Sequence, residues 1–460
     1  MNKLLNKLLN TEAKQIGFSF FMVIFTGSVL LTLPISQLPH SEATYIDNLF
    51  TSVSMVCVTG LFTSAVSETY NTFGQIICMM LMQIGGLSLM SLMSLSIFYL
   101  KKNVSLKDQY LLQSTVNRST NYKLKKFIYN MVAFTVTVEL ICTLLLSTQL
   151  IPMYGFKKGF FSSVFIAISA FNNAGFDNLG ATSLINFQTN AMILLPIAFS
   201  IIFAGIGFSV WFEIRELIVE FHQNKPNNLK LILRKMSIHS RVVLITTFFI
   251  LLVGTVLSWA IEAGNKGSIG TMSLTNQLLN SFFQTVSMRT AGFASLNYDY
   301  THFSTNLLYI LQMIIGGSPG GTAGGIKVTT FVIIIMYIRA ELRGNKYISV
   351  FKRTISMELF RRAMTVFFFY MLTLITGWLL ILIAQPELDP FKVLFECVSA
   401  LSTVGVTVNL TGSLSIFSQF VIMALMFLGR VGPLTVFMSL SILQHKNDNL
   451  RYAEADLLIG

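Results

Sequence analysis

Long and short apolar segments alternate along the whole chain. The long ones reach the length of about 20 residues with which a helix crosses the hydrocarbon core of a bilayer. Transmembrane strands would instead show alternating segments of about 10 residues. The pattern therefore predicts an all-α integral membrane protein with eight transmembrane helices, near residues 16–38, 74–100, 127–151, 189–212, 241–262, 304–338, 364–385 and 416–443.

A shorter, half-apolar segment lies between the two long segments of each pair. At about a dozen residues it is too short to span a bilayer, and a glycine-containing loop follows it each time. Non-helical backbone at membrane depth survives only where protein buries it or where it lines water. Four such loops meet that condition together if they surround one pore. The predicted re-entrant pore helices cover 46–57, 159–171, 276–288 and 390–401.

The glycine loops belong to an internal repeat. A serine-initiated motif ends in each glycine, and a phenylalanine stands ten residues before it. A period of roughly 115 residues with a shared local signature indicates tandem repeats. We expect a single membrane domain over 1–460, in which four repeats of first helix, pore helix and second helix (M1–pore helix–M2) surround a pseudo-four-fold pore. The repeats are 16–100, 125–212, 241–338 and 364–443, followed by a cytoplasmic tail at 444–460.

The charge distribution agrees with a membrane location. Charged residues make up 11% of the chain, against about 25% in soluble domains. The net charge of +12 comes largely from basic loops between the repeats, at 101–126, 215–241 and 339–362. By the positive-inside rule these loops and both termini are cytoplasmic. The opposite side carries acidic residues with few bases, which predicts a mildly acidic entrance for cations.

The glycine loops are typical of a cation filter. Thr403-Val404-Gly405 reads as the core of a potassium-channel filter, in which carbonyl oxygens replace the water shell of the ion. Glycine permits the backbone angles that turn successive carbonyls toward one axis, and no acidic ring suggests a hard divalent ion. We predict potassium, the transported ion, to be bound by Val58, Thr59, Gly60, Asn173, Ala174, Gly175, Thr290, Ala291, Gly292, Thr403, Val404 and Gly405.

The second helix of the third repeat contains six glycines and a proline in its middle. Each glycine costs a helix about 1 kcal/mol and proline about 3 kcal/mol, so the helix is predicted to break there. A broken segment beside a pore suits a gate. The predicted gate is loop 315–326 with two basic neighbours, and its residues are Gly316, Gly317, Ser318, Gly320, Gly321, Thr322, Gly324, Gly325, Lys327 and Arg430.

Arg430 lies inside the last long apolar segment. An arginine within the membrane costs at least about 2.5 kcal/mol unless it is paired or hydrated, and it is by default a functional candidate. Its offset from Gly405 places it at the depth of the glycine run. We expect Arg430 to face the pore, donate to carbonyls of 316–325 and form an electrostatic barrier that the loop modulates. Glu139 is a second charge at depth, and its partner stays open at this point.

Other functional classes find little support. The buried charges form no catalytic pattern, which argues against an enzyme, and the glycine run lacks the strand-then-helix setting of a nucleotide-binding motif. An alternating-access transporter would show inverted repeats, whereas every inter-repeat loop here is basic. A sodium-selective or poorly selective monovalent cation pathway remains the alternative, because only two of the four loops have threonine two residues before the glycine.

The four filter motifs and the Gly-Ser-Pro-Gly-Gly-Thr-Ala-Gly-Gly-Ile-Lys327 loop resemble the Trk/Ktr/HKT superfamily of potassium transporters, in particular its Ktr-type membrane subunits. The resemblance covers almost the whole chain. Plant members that favour sodium replace the first filter glycine by serine, and Gly60 here favours potassium. The end of the chain, 451–460, resembles the Ktr tail that packs at the subunit interface, except that Ala453 stands where proline is expected.

This resemblance implies a multi-pass protein of the bacterial cytoplasmic (inner) membrane that forms a homodimer with one pore per subunit. It also implies docking on a cytosolic ring of nucleotide-binding RCK subunits of the KtrA or KtrC type, which respond to ATP and ADP. Sodium-stimulated potassium uptake follows from it as well, with sodium as an activator. It further implies that Gly316 to Gly325 form the gate and that Arg430 is its pore-side neighbour. Because this chain has no nucleotide-binding motif, we expect no nucleotide on it and any nucleotide to act on a partner.

Overall fold

The computed structural model describes residues 12–87, 121–224 and 235–432. These residues are predominantly helical, which confirms the predicted class. One antiparallel pair of two-residue strands, β1 (Ser349–Val350) and β2 (Arg353–Thr354), departs from it in the third basic loop. The end of the predicted span 74–100, most of the first basic loop and the tail 444–460 lie outside the described residues.

Four stretches of the described chain share one order of elements: a first helix, a short helix, a loop and a second apolar helix. In chain order the helices are α1 (Glu12–Thr32), α2 (Tyr45–Cys57), α3 (Val66–Thr69), α4 (Thr72–Gly86), α5 (Asn121–Tyr154), α6 (Phe156–Asn172), α7 (Ala191–Ile206), α8 (Phe208–Asn224), α9 (Ile238–Glu262), α10 (Leu274–Ser287), α11 (Phe303–Ile314), α12 (Val328–Leu342), α13 (Met357–Ala384), α14 (Pro390–Leu401) and α15 (Ile416–Val431). Short 3-10 turns occur at Ile185–Phe187 and Thr411–Ser413.

Within these ranges, three single helices are long and apolar enough to cross a membrane, namely Phe127–Tyr154, Ile238–Glu262 and Met357–Ala384. The pair Ala191–Ile206 and Phe208–His222 also passes that test as one bent unit. Many apolar side chains on the long helices point outward, among them Phe248 and Ile383, which are 61% and 75% exposed. Such exposure suits lipid, because acyl chains are as apolar as the side chains they surround.

The short helices α2, α6, α10 and α14 cover the four segments predicted as pore helices, with bounds within three residues of those predicted. Side-chain caps set the starts of two of them. Thr44 and Asp47 form a reciprocal capping box at the start of α2, and Asp389 caps α14 with Pro390 in its first turn. Both arrangements satisfy backbone N–H groups that have no partner inside the helix.

The prediction of one continuous helix over 189–212 is wrong. The chain forms α7 and α8 instead, which meet at Gly207 with a bend of 92°. Gly207 has φ +94°, a conformation that glycine adopts without steric cost. The apolar run hid the break, because a single glycine lowers helix propensity by only about 1 kcal/mol.

Candidate functional site

The four motif glycines converge on one point. A Cβ atom on Gly60 would lie 3.3 Å from the Cα atoms of both Gly175 and Gly405. One on Gly175 would lie 2.8 Å from Gly292 Cα, and one on Gly405 would lie 2.7 Å from Gly60 Cα. Backbone carbonyl oxygens are also close, since Ala174 O would lie 2.8 Å from a Cβ atom on Gly60. The loops therefore form a closed ring that has no room for side chains at the glycines.

The backbone of the four loops repeats one unusual conformation. The residue two positions before each glycine is left-handed, with φ between 53° and 69°, and each glycine also has positive φ. The left-handed residues are Val58, Asn173, Thr290 and Thr403. Three of them are β-branched, for which this conformation is a steric outlier. Strain of about 1–3 kcal/mol per residue persists only where the surroundings enforce it, and it is typical of functional sites.

The ring also holds side-chain oxygens that the protein leaves unpaired. Thr59 Oγ1, Asn173 Oδ1 and Thr403 Oγ1 are buried without a hydrogen-bond partner in the described part of the chain. Thr290 Oγ1 accepts from the backbone N–H of Gly324 at 3.2 Å. Buried polar atoms are normally hydrogen-bonded, so three unpaired acceptors beside converging carbonyls suit an oxygen-coordinated cation.

The second helix of the third repeat is interrupted between α11 and α12, as the glycine run predicts. The two ends of the interruption pair with each other. Gly316 N–H donates to Ile326 O at 2.9 Å, and Ile326 N–H donates to Ile314 O at 3.1 Å. Val328 N–H donates to Gly317 O at 3.0 Å. The segment 315–326, called the glycine run below, is thus an ordered loop whose two ends are joined by backbone hydrogen bonds.

The glycine run lies directly against the predicted filter loops. A Cβ on Gly324 would be 2.8 Å from Ser402 O and would overlap the Thr403 hydroxyl. Thr322 Oγ1 donates to Phe171 O near the end of α6 at 3.3 Å. With the bond from Gly324 N–H to Thr290 Oγ1, the glycine run contacts the second, third and fourth filter regions at once.

Two basic side chains hold the carbonyls of the glycine run. Arg430 donates to Thr322 O, which lies within the range predicted for it. It also donates to Gly85 O, and to Gly86 O at 3.3 Å. Lys327 Nζ donates to Ala323 O at 2.5 Å and to Gly324 O at 3.4 Å. Arg430 therefore joins α15, the glycine run and the end of α4, and the contact with α4 was not predicted.

Comparisons with known proteins identify the family of the chain. The profile of the TrkH family, described as cation transport proteins, matches residues 6–452. The chain belongs to the TrkH family. Family membership also makes it a cation transport protein of the membrane and not an enzyme, and it confirms the resemblance inferred from the motifs.

Relatives of this TrkH family member match over nearly their full lengths. The Ktr system potassium uptake protein B of Bacillus subtilis is 34% identical, with 98% of this chain and 97% of that protein covered. The potassium/sodium uptake protein NtpJ of Enterococcus hirae is 34% identical, with coverage of 100% and 99%. The crystal structure of the potassium transporter TrkH from Vibrio parahaemolyticus has the same fold, with a TM-score of 0.73 at 15% identity, covering 93% of this chain and 84% of that one.

Serines that the sequence analysis left without a role form hydrogen bonds with the backbone of the four glycine loops of this TrkH family member. Gly60 N–H donates to Ser54 Oγ at 3.1 Å, and Gly405 N–H donates to Ser399 Oγ at 3.0 Å. In the second loop, Phe176 N–H donates to Ser169 Oγ at 2.8 Å. In the third loop the direction is reversed, and Ser287 Oγ donates to Phe293 O at 2.6 Å. The available signal was that each motif begins with serine.

We expect Ser399→Ala to reduce the preference for potassium over sodium about fivefold. It removes one buried hydrogen bond to the filter backbone, worth about 1 kcal/mol, and so loosens the fourth loop. Competitive uptake of the two ions into proteoliposomes measures the effect. Ser413→Ala is the control, because that hydroxyl bonds only Leu410 O outside the filter. Equal selectivity in both variants would contradict a supporting role for Ser399.

Glu139 has a partner that sequence could not supply. Asn172 Nδ2 donates to Glu139 Oε1 at 3.3 Å and to Gln83 Oε1 at 2.6 Å. A Cβ on Gly86 would overlap this asparagine. The three side chains join α5, the end of α6 and α4 next to the Arg430 contact. Glu139 is therefore hydrogen-bonded between helices, and Asn172 is the partner that the sequence left open.

Two acidic residues on the side predicted to form the entrance, Asp299 and Asp177, are paired or buried. Lys392 Nζ lies 2.8 Å from Asp299 Oδ1, and Asn409 Nδ2 donates to Asp299 Oδ2 at 2.6 Å. Burial by itself raises the pKa of Asp299, but the hydrogen bonds from Lys392 and Asn409 outweigh it and hold that pKa below its ordinary value. Asp177 is only 8% exposed. Charge pairing and burial thus reduce the exposed negative charge of these two residues, and the acidic entrance itself stays a prediction.

Proposed function

We propose that this protein carries potassium ions into the cell through a pore enclosed by its four repeats. The observation that carries the proposal is the ring of four glycine loops, in each of which the residue two positions before the glycine has a left-handed backbone conformation. Short helices that end at such a ring point the negative ends of their dipoles at its centre, which favours a cation. The names of the relatives, potassium uptake proteins of Ktr systems, support potassium as the ion.

The filter residues of this proposal are the twelve named from the sequence, acting through backbone carbonyls and the hydroxyl or amide oxygens of Thr59, Asn173, Thr290 and Thr403. Sodium or poorly selective monovalent cation transport is the second candidate. Two observations favour it: Val58 and Asn173 replace threonine in two loops, and the Enterococcus hirae relative is named for both ions.

The glycine run at 315–326 is proposed as the gate. It lies against the filter loops, and its carbonyls are held by Arg430 and Lys327. An ordered loop that blocks the path and is held mainly by hydrogen bonds can open without unpacking the helices around it. Arg430 adds a positive charge beside the path, which opposes cation passage while the loop is closed.

The remaining features are proposed from the family resemblance. They are a homodimer in the bacterial inner membrane, cytoplasmic termini, sodium stimulation, and control by a cytosolic RCK ring that binds ATP and ADP. The basic loops between the repeats support that orientation through the positive-inside rule. The names of relatives as components of a Ktr system support a multi-component assembly.

Potassium and sodium uptake by proteoliposomes tests the function, with Thr403→Val as the diagnostic variant. We expect the wild type to prefer potassium and the variant to lose about fivefold of that preference. The Thr403 hydroxyl has no protein partner among the described residues, so its removal costs the fold no hydrogen bond. Valine fits the backbone there, because Val58 has the equivalent conformation in the first loop.

Thr373→Val is the matched control, since that hydroxyl bonds Phe369 O within α13, away from the ring. Unchanged selectivity in Thr403→Val would exclude the hydroxyl as an ion ligand. Equal uptake of both ions by the wild type would favour the poorly selective alternative. Absence of uptake of either ion by folded protein would contradict the transport proposal.

A further inference from the structure

We propose that the break between α7 and α8 is a latch that holds the glycine run closed, and that Gly207 and Trp211 are positioning residues for the gate. This inference rests on the proposed gating role of 315–326. It assigns a part in gating to the second repeat, where sequence reasoning expected an uninterrupted helix.

The break supplies the backbone groups that bind the glycine run. In a continuous helix, the carbonyls of Ala204 and Gly205 would accept from the N–H groups four residues later. Here Gly205 O accepts from Ser318 N–H at 2.9 Å, and Ala204 O accepts from Thr322 N–H at 3.4 Å. Phe208 N–H, which the break also releases, donates to Gly320 O at 3.1 Å. Three backbone groups that would take part in two bonds of a continuous helix thus form three bonds to the gate.

The fit between the two segments depends on glycine. A Cβ on Gly207 would lie 2.9 Å from Pro319 O and 3.3 Å from Ser318 Oγ. On the other side, a Cβ on Gly321 would lie 2.7 Å from Ala204 O. Any side chain at these positions would push the glycine run away from the break.

Side chains around the break fix its angle. Trp211 Nε1 donates to Phe203 O at 2.7 Å, satisfying a carbonyl that the break leaves free. The Trp211 ring stacks on Phe134 with centroids 5.7 Å apart. Farther along α8, the carboxylate of Glu213 accepts from Ser237 Oγ at 2.8 Å, at the start of α9. Helix α8 is therefore anchored to α9 and joined to the gate through Phe208.

This connection gives the gate a mechanical input. A displacement of α8 relative to α7 separates Phe208 N–H from Gly320 O and strains the other two bonds. The filter carbonyls take no part in these contacts, so the latch controls how often the path opens without changing which ion passes. A movement of α8 would therefore act on the gate through the bond between Phe208 N–H and Gly320 O.

The test is ion flux through full-length protein in proteoliposomes, comparing Gly207→Ala with Gly155→Ala. Both glycines have positive φ, but nothing lies within 4 Å of a Cβ at Gly155, whereas one at Gly207 meets the glycine run. Both variants therefore introduce backbone strain, but only Gly207→Ala introduces a contact with the gate. We expect Gly207→Ala to raise unstimulated potassium flux at least about fivefold, the factor of one lost hydrogen bond, with the potassium-to-sodium ratio unchanged.

Trp211→Phe is the second variant, and it decides the question if Gly207→Ala does not fold. It keeps a ring against Phe134 but lacks the donor to Phe203 O, and we expect a smaller rise in flux at the same ion ratio. Wild-type flux in both variants would overturn the latch, provided that Arg430→Gln raises flux in the same vesicles. Wild-type flux in Arg430→Gln as well would overturn the gate itself. A changed ion ratio in Gly207→Ala would also overturn the latch, because it would place the residue's effect in the filter.

Discussion

Replacing Gly405 by serine is expected to abolish the preference for potassium over sodium and to reduce potassium uptake at least about tenfold. Gly405 has φ +95°, and a Cβ there would lie 2.7 Å from Gly60 Cα and overlap Thr59 O. The left-handed conformation costs a non-glycine residue about 1–3 kcal/mol, and 1.4 kcal/mol is already tenfold. The substitution cannot be relieved by a side-chain rotation, because the neighbouring atoms belong to backbone.

The control for this variant is Gly412→Ser, seven residues later. A Cβ at Gly412 would approach no atom closer than Thr63 O at 3.8 Å, so uptake and selectivity should equal those of the wild type. Uptake into a potassium-auxotrophic bacterium, followed by ion competition in proteoliposomes, measures both properties. If Gly405→Ser keeps the wild-type ion preference, the four glycines serve packing and the carbonyl filter is wrong.

Substituting Arg430 by glutamine is expected to raise unstimulated cation flux at least about tenfold without loss of potassium preference. The guanidinium bonds three backbone carbonyls, on Thr322, Gly85 and Gly86. Hydrogen bonds to charged groups contribute about 1.5–3 kcal/mol each, so even one such loss corresponds to about tenfold in the closed-to-open ratio. Glutamine also removes the positive charge beside the path.

Two further variants divide these contributions. Arg362→Gln is the control, because that arginine is 71% exposed and pairs only with Glu358 on the surface, where ion pairs contribute little. Arg430→Lys keeps the charge, but its compact ammonium group cannot bridge the three carbonyls that the planar guanidinium reaches. High flux in Arg430→Lys would assign closure to the bridging geometry, and low flux would assign it to the charge. A closed pore in Arg430→Gln would contradict its role in the gate.

Local sequence signals carried much of the architecture. The pore helices were predictable because a short half-apolar segment followed by a glycine loop recurs with one period. The interruption between Ile314 and Val328 was equally visible, since six glycines and a proline cannot sustain a helix. In both cases a strong local preference and the final fold agree.

The break at Gly207 and the partners of Arg430 show where local signals end. Gly207 lies in an apolar run that favours a continuous helix, and the break is stabilised by N–H groups more than 110 residues away in the glycine run. The offset from Gly405 placed Arg430 at the depth of the glycine run. Its second partner, on α4, is separated from it by about 345 residues, and no periodicity encodes that contact.

The sequence by itself thus determined the helical class, the recurring glycine loops, the interrupted second helix and the family. Each rests on chain-local physics: apolar length, helix propensity and the conformational freedom of glycine. Only the tertiary structure decided which carbonyls Arg430 bridges, which backbone groups the motif serines bond and why α7 ends at Ile206. Those features depend on backbone groups that become available, or are filled, only when distant segments pack together.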